Sequence, residues 1–458
     1  MIQEIQNFIL KKAKNVLNSI AFYSSVVALS YMVLAIVVRN VEYLEMVKGY
    51  KKTLGIDFVN SEENARLILG GLVGGIISLM VFSFSMVMVV INRTMATLSP
   101  RVVPGIITKK SHQIVLGYYI GTIVFCLITI TGVGEEFDGK AVIPDLGVLI
   151  ALFSGIGCLV MFVYFIHSIS QSIQVDNILN GIYRTTLNGM QKAKEGEKLP
   201  ESVFKHEKED EEWVRVYAAQ VGYLKKVHTK ALCDLLDEHD LKLSVLIRMG
   251  DFTVKGFPFV KVNRSLEEDE SLQDKIQSSF EFYQEEFTQD HYRFGFRQIT
   301  EIAVKALSPG INDPGTAVKA IDLLTILFIE RLSLFDFTVT KGKEDVPRLF
   351  VREPTFGELL YECITPIRKY GREDTLVMAT ILKLLEDLTI VSINKAKQEE
   401  ILELEKLAKS VSSEADRYLI NQLDRAKINE YLSNIERLLQ NQNGNKSFSI
   451  QLEVETDD

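Results

Sequence analysis

The chain is poor in cysteine, tryptophan and proline, and its long apolar runs contain no charge. Four cysteines (Cys126, Cys158, Cys233, Cys363) occur in 458 residues, none in a CxxC pair. Neither a disulfide framework nor a zinc site has that signature; it fits a reducing compartment, or thiols buried in lipid. The net charge is −9, and no block of Lys and Arg occurs after residue 110. Nucleic-acid readers concentrate basic residues on one face or in one domain, so nucleic acid is not an expected partner. The sequence has no P-loop and no nucleophile motif, and its six histidines are scattered. It therefore carries no signature of catalysis, metal binding or a cofactor, and the expectation is a protein that is not an enzyme.

What is present is hydrophobic length. Four runs approach or exceed the roughly 20 apolar residues that cross a bilayer: Ile20 to Val38, Leu67 to Ile91, Gln113 to Thr131 and Leu146 to Ile166. The first follows Lys11, Lys12 and Lys14, as a signal peptide would. Its apolar core is too long for that, and Val37-Val38-Arg39-Asn40 offers no small-residue cleavage site. Between the second and third runs lie Arg93, Arg101, Lys109 and Lys110 without an acid; between the third and fourth lie Glu135, Glu136, Asp138 and Asp145 against Lys140 alone. Positive loops stay in the cytoplasm, so both termini are expected there, in a bacterial inner membrane.

The second run carries Gly71, Gly74, Ser78, Ser85 and Asn92. Gly71, Ser78, Ser85 and Asn92 are spaced by seven, which keeps them near one side of a helix. Small faces let helix backbones approach in lipid, so packing is the ordinary explanation; the alternative is the lining of a water-filled path. Gly117 and Gly121 in the third run read as a packing pair. No carboxylate or histidine relay stands inside the spans, as many ion-coupled carriers require. No repeat relates the first two spans to the last two, as alternating-access carriers often show. Arg93 and Arg101, with His167, Gln171 and Gln174 at the end of the fourth span, form a candidate inner mouth.

After the spans, the fourth helix is expected to continue through Ser172, Asn177 and Tyr183 into a charged linker. Five segments follow from this reading: a transmembrane domain over 1–175, a helical linker over 176–212, a β-rich unit over 213–265, a helical domain over 266–442 and a disordered acidic tail over 443–458. In the β-rich unit, Gly-Asp and Gly-x-Pro turns between short apolar stretches suggest a small barrel-like module. Thr229 is placed to cap a short helix, residues 271–287 read as amphipathic helix, and Phe335–Thr340 pairs with Leu349–Val351 as a hairpin. The fold class is thus a four-span α-helical membrane protein with a cytoplasmic α+β domain, barrel-like at its start and helical at its end.

The most distinctive local motif is Ser308-Pro309-Gly310-Ile311-Asn312-Asp313-Pro314. It stops one helix and starts another: Asp313 stands at an N-cap position, and Pro314 at the first helical position, where a missing N–H costs nothing. The competing reading is a polar ligand site built from Ser308, Asn312 and Asp313 with Arg293 and Arg297 of the preceding helix.

With this motif the sequence resembles the bacterial membrane-protein family called domain of unknown function 2254. The matching stretches are Leu98-Ser99-Pro100-Arg101, Phe165-Ile166-His167-Ser168-Ile169 with Ser172-Ile173-Gln174-Val175, Gly250-Asp251-Phe252, and Gly295-Phe296-Arg297-Gln298 leading into the Ser-Pro-Gly motif. Phe82-Ser83-Phe84-Ser85-Met86 is similar to the family's serine-rich second span. The resemblance implies four N-terminal spans and a cytoplasmic C-terminal domain, and no established activity. The functional expectation is a homo-oligomeric channel or pore-like transport protein embedded in the lipid bilayer, its ion or small solute unspecified. The other reading is a membrane-anchored sensor or scaffold without a path.

Overall fold

The computed structural model describes residues 22–42, 61–98, 110–137, 140–195, 213–266, 269–283, 291–443 and 452. The chain divides into two compact units, one holding the apolar helices and the other everything from Val175 onward.

The first unit contains α1 (Phe22–Glu42), α2 (Glu62–Thr97), α3 (Lys110–Thr131) and α4 (Asp145–Ile173), each long and apolar enough to cross a membrane. A two-stranded hairpin, β1 (Glu135–Phe137) with β2 (Lys140–Val142), joins α3 to α4. Helix α2 has 36 residues, which at 1.5 Å per residue is about 54 Å, well beyond the roughly 30 Å of bilayer hydrocarbon. Helices α1 and α3 lie in close contact: a Cβ on Gly117 would meet the Ser24 backbone at 2.8 Å, and one on Gly121 would meet the Tyr31 ring at 2.8 Å. The glycine pair therefore sets this contact, as small residues do in lipid. Ala35, Ala65, Leu69, Phe125, Val148 and Ala151 fill one layer of the interior, and Ile76, Val115, Tyr119, Cys158 and Phe165 the other. Arg66 donates to the Val133 carbonyl at 2.8 Å, closing the α3 turn against the start of α2.

Helix α4 runs through Ser172 but does not continue through Asn177 and Tyr183 as one helix. It ends at Ile173, Gln174 is extended (φ −65°, ψ 122°), and a separate helix α5 (Val175–Glu195) begins. The charged stretch 196–212 and most of the acidic tail lie outside the described residues.

The second unit mixes sheet and helix. Strands β3 (Val214–Tyr217), β4 (Gly222–Val227), β5 (Leu243–Val245), β6 (Phe252–Thr253), β7 (Pro258–Val262), β8 (Phe280–Tyr283), β9 (Phe337–Lys341) and β10 (Pro347–Arg352) form two open sheets. Their orders are β3-β7-β5-β10-β9 and β6-β4-β8, so the expected barrel does not close. The β9–β10 hairpin pairs antiparallel as the sequence suggests. Its strand β10 then pairs parallel with β5, Leu349 opposite Leu243. The sheet therefore draws strands from both sides of residue 265. Leu224, Leu232, Leu243, Phe259, Val260 and Leu349 fill the core between sheet and helices.

Two local details differ from expectation. Helix α6 (Thr229–Glu238) is preceded by His228 at the N-cap, with Thr229 as its first residue rather than its cap. Helix α7 (Glu270–Ser278) stops before β8, so part of the stretch read as helix is a strand paired with β4. Then come α8 (Tyr292–Ala306), α9 (Pro314–Arg331), α10 (Phe356–Gly371), α11 (Thr375–Asn394), α12 (Gln398–Tyr418) and α13 (Gln422–Asn443). Gly295 of α8 lies against α5, where a Cβ would stand 1.7 Å from the Thr186 hydroxyl. Only glycine permits that crossing.

Candidate functional site

The α2 face comes first. Ala65, Leu69, Ile76, Ser83 and Val90 point into the bundle and are buried. Gly71, Gly74, Ser78, Ser85 and Asn92 lie on the opposite side and are exposed. A Cβ on Gly70, Gly71, Gly74 or Gly75 would meet nothing within 4 Å. Among the described residues, then, the glycines of this face meet no other helix of the chain, while Phe82 on the same side packs edge-on against Phe162 of α4. The seven-residue spacing establishes a face but not the direction in which it points. Ser78 returns its hydroxyl to the Gly74 carbonyl at 3.0 Å and Ser85 to the Val81 carbonyl at 2.9 Å, which satisfies both groups in a water-poor setting. Larger side chains interleave with the small ones: Leu67, Val81, Phe82 and Val89 are exposed on the same side.

The candidate inner mouth is only partly assembled. Arg93, His167, Gln171 and Gln174 are exposed. Gln174 does not share a helical face with His167 and Gln171, because α4 ends one residue before it. Arg101 lies outside the described residues. His112, which sequence reasoning passed over, contacts the Ser168 hydroxyl at 3.2 Å and packs edge-on against Phe165. Its position at the start of the third span is the signal that could have found it.

The Ser-Pro-Gly turn is held by its own atoms. Asp313 caps α9, accepting from Thr316 N–H at 3.2 Å and from the Thr316 hydroxyl at 2.6 Å. Its own N–H donates to the Ala306 carbonyl at 2.8 Å. Ser308 donates to the Lys305 carbonyl at 2.6 Å. Asn312 takes the left-handed conformation with φ +50°, which asparagine tolerates better than most residues.

Arg293 and Arg297 do not join this turn. Arg293 lies in the first turn of α8 and the motif follows the last. Thirteen residues of helix separate Arg293 from Ala306, about 20 Å at 1.5 Å per residue. Arg297 instead approaches Glu301 on its own helix at 3.6 Å. The composite ligand site is thus divided between the two ends of one helix.

Arg293 belongs to a different constellation. It donates to Asp251 Oδ1 at 2.7 Å, to the Met249 carbonyl at 3.1 Å and to Glu362 Oε1 at 2.7 Å. Asp251 Oδ2 accepts from the Arg248 N–H at 3.0 Å and from its Nε at 3.1 Å, and Arg248 pairs in turn with Glu358. Gly250 makes the turn possible, with φ +86° and the Phe294 ring 3.0 Å from where a Cβ would be. The Gly-Asp turn and α8 are therefore locked to α10. Burial pushes the Asp251 carboxyl up, but the hydrogen bonds from Arg293 and the Arg248 backbone, with both guanidinium charges, hold it below its ordinary value.

A second polar cluster lies more deeply. His291 Nε2 meets Glu353 Oε2 at 2.9 Å, the Tyr292 hydroxyl donates to the same oxygen at 3.1 Å, and Thr338 reaches Glu353 Oε1 at 3.3 Å. His291 Nδ1 accepts from Arg293 N–H at 3.2 Å, which assigns the ring proton to Nε2. Buried Arg331 donates to Asp336 and to the Pro354 carbonyl. Burial pushes Glu353 up, while the contact with His291, the Tyr292 hydroxyl and the Arg331 guanidinium outweigh it and hold the carboxyl down.

Burial pushes the Cys363 thiol up to about 12 and raises Cys233 as well, so neither is a thiolate at neutral pH. Among the described residues, no group of three or more His, Cys, Asp or Glu is placed to hold a metal.

Four apolar helices followed by an α+β unit with two open sheets define a multi-pass membrane protein with a large extramembrane part. The chain belongs to the family described as Predicted membrane protein (DUF2254), which matches residues 17–387. Uncharacterized proteins of Mycobacterium tuberculosis and Mycobacterium bovis are 24% identical over 309 residues, covering 66% of this chain. The match spans 59% of the length of these relatives. No solved structure matches the chain.

Proposed function

We propose that this protein is a homo-oligomeric channel or pore-like transport protein of the bacterial inner membrane, with both termini in the cytoplasm and the extramembrane unit serving assembly and gating. The observation that carries the reading is the direction of the α2 face. Gly71, Gly74, Ser78, Ser85 and Asn92 point away from the chain's own bundle, and among the described residues a Cβ on either glycine would meet nothing within 4 Å. A face of small and hydroxylated residues has little reason to meet lipid tails, which favour large apolar side chains. Presented to further copies, it lets helices approach closely or lines a path between them. Interleaved Val81, Phe82 and Val89 supply the apolar surface such a contact needs. Arg93 near the end of α2 gives the cytoplasmic entrance positive charge, an arrangement that favours anions; it serves equally as a positive-inside anchor.

The test is reconstitution of the full chain in liposomes, with the number of copies counted in lipid and ion flux recorded. Assembly into a closed oligomer with flux that Gly74→Leu abolishes is the expected result. A monomer without flux defeats the reading and leaves a membrane-anchored sensor or scaffold.

A further inference from the structure

We infer that the β3–β4 and β6–β7 turns of the second unit form a lipid-docking surface that seats on the anionic headgroup region of a bilayer. Strand β6 and its continuation alternate in an unusual sense. Phe252 is 56% exposed, Thr253 is 2% exposed and Val254 is 49% exposed. A sheet with one face in water turns its apolar residues inward; here the threonine points in and its two apolar neighbours point out. The adjoining turns continue the pattern, because Tyr217, Val221 and Phe257 are also exposed. These positions are contiguous: Ala218 N–H donates to the Phe257 carbonyl at 2.9 Å and Gly256 N–H to the Ala218 carbonyl at 2.8 Å. Strand β6 pairs with β4, bringing Tyr223 beside Phe252 with ring centroids 5.1 Å apart.

Charge identifies the occupant. In a chain of net charge −9, the stretches 213–227 and 252–264 contain no Asp or Glu. They do contain Arg215 and Lys255, both exposed. The nearby carboxylate of Asp251 is engaged by Arg248 and Arg293. Aromatic rings flanked by basic side chains that reach toward phosphate are the chemistry of an interfacial anchor. Basic residues near an anionic leaflet add attraction that decays over a Debye length. The chain supplies the bilayer itself, since Val175 of the second unit follows directly on Gln174 and the fourth span.

The experiment uses the full chain in phosphatidylcholine–phosphatidylglycerol vesicles. Trp213 is the single tryptophan; in a Trp213→Phe background, Phe257→Trp places the reporter on the surface, with Val254→Trp as an independent second reporter. Bromines near the top of the acyl chains should quench most of the emission of both, and Leu423→Trp, on an exposed helix start elsewhere in the unit, should keep its emission. Emission unchanged by brominated lipid overturns the proposal, whether acrylamide then quenches it, indicating water, or fails to, indicating a protein partner. Equal quenching of the Leu423→Trp control also overturns it, because contact would not then be specific to this surface.

Discussion

Arg293 and Asp251, 42 positions apart, meet at 2.7 Å and hold the Gly-Asp turn against the first turn of α8. The pair is partly shielded: the arginine side chain is 14% exposed and the aspartate 25%. Removing one partner leaves the other charge under-solvated. Asp251→Asn should therefore cost about 2–3 kcal/mol, within the range for hydrogen bonds to charged groups and half-buried ion pairs. Arg293→Lys should lose nearly as much, because an ammonium cannot reach Asp251, Glu362 and the Met249 carbonyl together. Thermal unfolding of the single and double variants checks this, with a coupling well above zero expected in the cycle.

The same geometry sets a pH dependence. Asp251, Glu353 and Glu358 are all held below their ordinary values in the folded chain, hydrogen bonds and arginine charge outweighing the effect of burial. Between the unfolded and folded values the folded state binds fewer protons. Its stability is complete above the ordinary carboxylate range, about 3.9–4.3, and falls as pH drops through the lowered folded-state values. Melting temperature should hold steady from neutral pH to about 5 and decline below that. Glu353→Gln should flatten part of the acid limb while lowering stability at neutral pH.

The helix stop and start before α9 yields a finer distinction. If Asp313 acts as the cap that its bonds to Thr316 describe, Asp313→Ser should be nearly silent and Asp313→Ala should cost about 1 kcal/mol. A ligand role would make serine fail as badly as alanine while the fold stayed intact. Melting and function measured on both variants separate the two.

How much of this was legible beforehand follows from the range of each interaction. The four spans are local properties of apolar runs, and the Asp313-Pro314 helix start is local chemistry, so both could be read directly. The β9–β10 hairpin was visible for the same reason. The pairing of β10 with β5 was not, because it joins Leu349 to Leu243 in parallel across more than a hundred residues, and no neighbouring turn announces it. The turn spacing alone therefore suggests a barrel where two open sheets form. Phe280–Tyr283 reads as helix because polar residues surround it; its partner strand β4 decides otherwise. Arg293 meets Asp251 and Glu362 and not the Ser-Pro-Gly turn, since a helix carries its first and last turns to opposite ends. Asp251 was visible only as half of a Gly-Asp turn.

The glycines of the membrane unit divide into two classes with opposite consequences. Gly117→Ala should destabilise the bundle, because the new Cβ meets backbone of α1 at 2.8 Å. Gly71→Ala and Gly74→Ala meet nothing among the described residues and should leave monomer stability unchanged or slightly raised by better helix propensity. If copies contact each other through this face, the same two changes should weaken assembly. Thermal stability in detergent and cross-linking in membranes, measured on one set of variants, would show both effects.

Cysteine accessibility along α2 tests the central claim most directly. With Cys126 and Cys158 replaced, cysteine at Ser78 or Ser85 in membrane-embedded protein should react with a small charged thiol reagent. Cysteine at Leu79 or Val87, toward other sides of the helix, should react far less. Such a pattern places water against the outward face of α2, as a path between copies requires. Negligible labelling at all four positions would mean a dry face, and would contradict the channel reading.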